Sequence, residues 1–214
     1  MKILYAGPLE KRHFSWFQEQ CLYYDVEWRV LNENGVRLLG NENYINRDYT
    51  YGIGYLFPYK IPYQEFEKGK KWLNFHPGPL PEMGGRNLAY NAIMEKRKYF
   101  GATIHWMNEK FDEGPIIECQ RFEIREHYTA HDLMKISHDI LESFFYKYIP
   151  MLLRGELEQL LTINEPLEAY YPKEVLNDVL VLDVEMGKRL RALYCPPHYP
   201  KVMANRKIFK LVEE

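Results

Sequence analysis

Trp72-Leu73-Asn74-Phe75-His76-Pro77-Gly78-Pro79-Leu80-Pro81 begins as an apolar strand and ends abruptly in prolines and a glycine. Side chains alternate across a strand, so Asn74 and His76 share one face while Leu73 and Phe75 occupy the other. Pro77 and Pro79 have no N–H to give a ladder, so pairing is expected to stop just after the histidine. An amide and an imidazole are thereby held side by side at the carboxyl end of a strand, where open α/β sheets bind ligands. The plain alternative is a strand whose two polar residues face solvent.

Shorter apolar runs flank this stretch on both sides. Residues 2–6 read as a buried strand closed by Gly7-Pro8, and Leu9-Glu10-Lys11-Arg12-His13 as a loop at its carboxyl end. A helix follows with Phe14, Phe17, Cys21 and Leu22 on its inner side. Residues 26–31 and 51–57 have strand character, residues 40–49 read as a polar loop, and residues 61–66 as a short helix. Beyond the central stretch come a helix over 87–96, an alternating strand over 102–107 and a hairpin-like return over 115–124. Thr129 and Asp132 resemble a capping box, and Leu133, Ile136, Ile140, Phe144 and Tyr148 mark the core face of the helix behind it. Pro150 kinks or restarts that helix and Gly155 ends it. Strands alternating with helices predict an α/β fold with a Rossmann-like, mostly parallel sheet.

From Glu165 the texture changes. Tyr170-Tyr171-Pro172, an apolar run at 179–182, a short basic helix and Cys195-Pro196-Pro197-His198-Tyr199-Pro200 lead to two short strands that close a hairpin over Ala204-Asn205-Arg206-Lys207. The expected organisation is a catalytic domain over 1–162 and a short extension over 163–214.

The chain has 214 residues, enough for one domain with a small appendage, and a formal net charge of −2. That balance lacks the concentrated basic face of a nucleic-acid binder. No apolar run approaches the length that spans a bilayer, and the N-terminal run is too short for a signal peptide. Cys21, Cys119 and Cys195 are odd in number and scattered, which predicts a reduced, cytosolic protein. His127 and His131 stand four apart, but with Thr129 as the cap they do not share a helix face, and no metal is expected.

A third polar group, Asp112, follows the strand over 102–107. If that strand lies beside the Asn74/His76 strand, its carboxyl end brings Asp112 to the same edge. A carboxylate beside an imidazole favours the charged ring and fixes its orientation, and an amide N–H stabilises a developing oxyanion. Amide, imidazole and carboxylate without a nucleophilic serine or cysteine suggest acyl transfer by direct attack of an external amine.

Asn74-Phe75-His76-Pro77-Gly78-Pro79-Leu80-Pro81, Gly85-Arg86, Gly101-Ala102-Thr103-Ile104-His105-Trp106-Met107 and Phe111-Asp112-Glu113-Gly114-Pro115-Ile116-Ile117 together resemble the folate-dependent formyltransferase family over about residues 50–160. The resemblance implies N10-formyltetrahydrofolate as donor and Asn74, His76 and Asp112 as the catalytic trio. It places a largely backbone folate site at Pro58, Tyr59, Lys60, Arg86, Asn108, Glu109, Lys110 and Phe111. Pro58 offers a carbonyl but no N–H. The bland reading of Arg86, Glu109 and Lys110 is solvated loop charge.

For the acceptor, the tail is informative. Leu190-Arg191-Ala192-Leu193, Pro196-Pro197 and Tyr199-Pro200 resemble the short extension of enzymes that formylate nucleotide-linked amino sugars. The further barrel of the tRNA enzymes is not seen, and Gly7-Pro8-Leu9-Glu10-Lys11-Arg12 is not the glycine- and serine-rich phosphate loop of the purine-pathway enzyme. The expectation is a dTDP- or UDP-sugar N-formyltransferase, with Arg12 as a diphosphate contact and a homodimer implied by the resemblance. The alternatives are a glycinamide ribonucleotide or methionyl-tRNA formyltransferase, a formyltetrahydrofolate hydrolase, and a folate- or nucleotide-binding protein without turnover.

Overall fold

The computed structural model describes residues 1–31, 48–57, 60–172, 179–180, 186–196, 199–204 and 207–210. In chain order its elements are β1 (Lys2–Ala6), α1 (Arg12–Tyr23), β2 (Glu27–Val30), β3 (Tyr51–Tyr55), α2 (Tyr63–Glu67), β4 (Lys71–His76), β5 (Gly84–Gly85), α3 (Leu88–Met94), β6 (Tyr99–Trp106) and β7 (Ile116–Glu123). There follow α4 (Ala130–Leu153), β8 (Tyr170–Tyr171), β9 (Val179–Leu180), α5 (Met186–Leu193), β10 (Lys201–Ala204) and β11 (Lys207–Lys210). Six strands form the main sheet in the order β2-β1-β3-β4-β6-β7. The first four run parallel, whereas β6 and β7 are antiparallel to their neighbours.

The main core follows from alternation. Ile3, Tyr5, Ile53, Tyr55, Leu73, Phe75, Ala102 and Ile104 point to one face and meet Phe14, Phe17 and Cys21 of α1 and Leu141, Phe144, Phe145 and Ile149 of α4. Full burial of a large aliphatic or aromatic side chain is worth about 1.5–3 kcal/mol, so this face dominates stability. Leu22, expected on the inner side of α1, is 85% exposed. Each helical residue turns about 100°, which carries Leu22 off the Phe14–Phe17–Cys21 stripe. Arg12 and His13 lie inside α1 rather than in the preceding loop.

The capping box forms as expected, with Thr129 Oγ1 accepting from Asp132 N and Asp132 Oδ2 accepting from Thr129 N at 2.8 Å. α4 runs through Pro150 and ends ahead of Gly155, whose φ of +74° suits a residue without Cβ. The loop expected over 40–49 lies largely outside the described residues, as do Pro58 and Tyr59.

His13 is buried, with its Nε2 3.0 Å from Tyr5 Oη, and burial pushes its imidazole down to about 4. The folded state therefore takes up this proton after the unfolded state does. Its contribution to stability is intact above about pH 6.5 and is lost as the pH falls towards 4, by roughly 3 kcal/mol at the limit. Urea unfolding at pH 7 and pH 4.5 should show a smaller acid loss for His13→Phe than for wild type. Equal losses would contradict this account.

Candidate active site

Asn74, His76, Thr103 and His105 occupy the sheet face opposite the main core. The antiparallel register sets Asn74 directly across from His105 and His76 across from Thr103. β4 ends at His76, and the turn beyond it is braced from the neighbouring strand. The buried Thr103 hydroxyl donates to Gly78 O at 2.8 Å and accepts from Leu80 N at 2.9 Å. Arg121 clamps the same turn through a bidentate pair with Glu82 at 2.7 and 2.8 Å. Replacing Thr103 by valine keeps the shape but orphans a buried N–H. It should cost about 1–3 kcal/mol, read as a lowered denaturant midpoint at unchanged slope.

Asn74 Nδ2 lies 2.9 Å from His105 Nε2, and His105 Nδ1 lies 3.0 Å from Trp106 O. Together these partners select one tautomer, in which Nδ1–H donates to the carbonyl and Nε2 accepts from the amide. Burial lowers the His105 pKa, which favours that neutral ring, although the charge of Asp112 works against the shift. His105 thus orients the Asn74 carboxamide, with its NH2 towards the His105 ring.

His76 is also buried. Its Nε2 is 3.1 Å from Met83 O, and its Nδ1 faces Asp112 Oδ1 at 3.6 Å. With Nε2–H given to the Met83 carbonyl, a further proton on this ring falls on Nδ1, against the carboxylate. Asp112 Oδ1 also lies 3.8 Å from His105 Nε2, while Oδ2 accepts the Gly85 N–H at 2.8 Å. Asp112 holds a φ of +55°, a conformation that aspartate tolerates better than most residues and that often marks functional loops. An extra methyl at Gly78 would fall 2.4 Å from Leu88 Cδ1 and 3.0 Å from His76 Nε2, so the glycine keeps space for the ring.

Asp112 reaches this cluster by a different route from the one the sequence suggested. Because β6 is antiparallel to β4, Trp106 pairs with Leu73 at the opposite end from His76. The following loop must double back across the sheet face. It is held in shape by its own contacts: Lys110 N donates to Asn108 Oδ1, Asn108 Nδ2 to Glu113 O, and Lys110 Nζ to Glu113. Gly114 allows the reversal, since a Cβ there would meet Trp106 O at 1.8 Å.

Of the remaining predicted residues, Phe111 is an exposed ring beside Asp112, with Lys60 Nζ 5.4 Å above it and Tyr170 at 6.3 Å. Glu109 is exposed. Arg86 is half-buried next to Gly85, and its N–H donates to Tyr171 O. Arg12 opens α1 on the main-core side, where its charge acts on Tyr146 of α4, and it does not join the cluster. His105, Thr103 and Gly85 stand in the motifs that carry the resemblance but were given no role by the sequence reading. The register of β6 against β4 is the signal that would have found the first two. Among the described residues, no three His, Cys, Asp or Glu side chains are grouped to hold a metal ion.

The sheet and the loop folded across it thus gather an amide, two imidazoles and a carboxylate on one face. Residues 64–149, which contain every member of that cluster, match the formyl transferase family model. Over 86 residues the chain is 35% identical to a methionyl-tRNA formyltransferase of Bacillus thuringiensis, a match that covers 40% of this chain but only 27% of that protein's length. The fold is that of the formyltransferases. A 4-N formyltransferase from Francisella tularensis superposes with a TM-score of 0.73 at 20% identity, covering 100% of this chain and 97% of the other. The N-formyltransferase of Helicobacter canadensis, solved with folinic acid and dTDP-3-aminofucose, gives 0.71 at 17% identity over 98% of this chain and 86% of its own.

Proposed function

We propose that this protein transfers the formyl group of N10-formyltetrahydrofolate to the amine of a dTDP- or UDP-linked amino sugar. The observation that carries the reading is the cluster of the buried His76 and His105 with the half-buried Asn74 and Asp112, set in a segment that matches the formyl transferase family. The acceptor assignment is supported by fold similarity to an N-formyltransferase solved with dTDP-3-aminofucose, which covers 98% of this chain, whereas the tRNA enzyme is matched over 27% of its length. A homodimer and a cytosolic location belong to the same proposal.

The rim suits a folate. A ring with an acidic tail matches the exposed Phe111 ring and the Lys60 cation, and the loop containing Asn108, Glu109 and Lys110 offers backbone groups beside them. When bound, the donor supplies an electrophilic formyl carbon on a nitrogen that can leave. This chain's residues then divide the work. Asn74 donates its amide N–H to the oxygen that gains negative charge, in the orientation set by His105. His76 takes the proton released by the attacking amine at Nδ1, where Asp112 offsets the new charge, and returns it to the departing nitrogen. Gly85 N–H keeps the other carboxylate oxygen in place.

The test is an assay with N10-formyltetrahydrofolate and a panel of nucleotide-linked amino sugars, read by mass. A gain of one formyl group on a sugar amine is expected. Formylation confined to methionyl-tRNA, or formate release that no amine accelerates, would replace this reading by the corresponding alternative.

A further inference from the structure

A segment far along the chain, outside the 64–149 family match, closes onto the catalytic turn. Glu168 N donates to Pro81 O at 2.9 Å, Gly84 N to Ala169 O at 2.9 Å, and Arg86 N to Tyr171 O at 2.8 Å. These bonds knit β8 to β5 in parallel register, with Gly84 opposite Tyr170 and Gly85 opposite Tyr171. The approach is close enough to require glycine. A Cβ on Gly85, whose φ is +99°, would sit 2.0 Å from Tyr171 O, and one on Gly84 would meet Leu167 at 2.9 Å and the Asp112 Cβ at 3.2 Å. The outer end of this strap is fixed by one side chain. Tyr171 Oη lies 2.8 Å from both carboxylate oxygens of Glu95 and accepts from Arg97 Nη2 at 3.0 Å, while Arg97 Nε binds Glu95. Its ring packs against the cluster of Met83, Leu88 and Phe100.

The connection to chemistry runs through one peptide. Gly85, the partner of Tyr171 in the bridge, is the residue whose N–H fixes Asp112 Oδ2. We propose that Tyr171 is a positioning residue: anchored to Glu95 and Arg97, it holds β8 against β5 and so keeps the Gly85 N–H on Asp112, an inference that rests on the formyl-transfer reading. The C-terminal extension is then part of the working site, since the catalytic carboxylate owes its placement to a strand the family segment does not contain. Tyr171 touches neither substrate nor reacting atoms in this scheme. Its effect belongs to turnover rather than to substrate affinity, because it acts on where the carboxylate sits.

The experiment is a double-mutant cycle with two readouts. Tyr171→Ala should lower kcat about tenfold while KM for both substrates changes less than about twofold, and Tyr171→Phe, which loses only the hydroxyl anchor, should fall between it and wild type. In the Asp112→Asn background, Tyr171→Ala should have less than about a twofold further effect, because the charge it positions is already gone. Effects that simply multiply in the two backgrounds would overturn the proposal and reduce β8 to packing. Hydrogen exchange supplies the readout that needs no turnover: the Gly85 amide should be protected in wild type and exchange faster in Tyr171→Ala. Equal exchange in both overturns the proposal. Absence of formyl transfer by wild type would sink the functional reading instead, and the Gly85 exchange result would still decide whether Tyr171 holds the strap.

Discussion

Asn74→Ala is expected to lower kcat for formyl transfer by on the order of 10²–10³ while leaving the protein folded. The magnitude is that of removing one donor to a developing oxyanion, about 2.7–4 kcal/mol. The geometry explains why so much should depend on one amide. One N–H of Asn74 is taken by His105 Nε2 at 2.9 Å, and that ring is in turn fixed by the Trp106 carbonyl, so the second N–H is aimed in advance. A preorganised donor needs no rearrangement as charge appears. The fold should survive because Asn74 is only half-buried and sits on the face opposite the main core. The substitution strands one His105 nitrogen, a local loss of about 1–3 kcal/mol that should appear as a modest drop in denaturant midpoint. A variant that unfolds with wild-type cooperativity but turns over within about tenfold of wild type would remove Asn74 from the mechanism.

The strand ending in Asn74 and His76 was legible because alternation and proline chemistry act within ten residues. The same holds for the Thr129–Asp132 box, which needs only a helix start. What was not legible is long-range. The direction of β6 relative to β4 depends on how the chain turns through α3, and no local propensity encodes it. Taking the strands as parallel neighbours brought Asp112 to the correct place for the wrong reason, since the loop folds back rather than emerging beside His76. His105 received no role for the same cause: in the sequence it is one polar residue in an apolar strand, and only register makes it the partner of Asn74. The β5–β8 bridge joins residues 86 positions apart, Gly84 to Tyr170, and its two-residue strands carry no periodic signal at all. Arg12 is a smaller correction: its position after the first strand suggested a loop residue, but the helix begins there.

Asp112→Asn should cost about 10²–10³ in kcat, within the range for losing a general acid–base partner, and it separates the two tasks of that side chain. Asparagine tolerates the left-handed backbone at φ +55°, and its carbonyl oxygen can still accept the Gly85 N–H, so loop and strap should keep their shape. What disappears is the negative charge 3.6 Å from His76 Nδ1, the atom on which the arriving proton must rest. With Nε2 committed to the Met83 carbonyl, His76 has no second site for that proton, and the charged ring would be left buried without its counterion. The loss should therefore fall on kcat, with KM for donor and acceptor little changed. Asp112→Ala makes the useful contrast. It removes the charge and also the Gly85 acceptor, and it places an unsuited side chain in the left-handed region, so it should add a loss of stability of about 1 kcal/mol or more. Full activity in Asp112→Asn alongside an inactive Asp112→Ala would mean that the residue serves only as the anchor for Gly85, and the proton would have to be managed by His76 without a carboxylate.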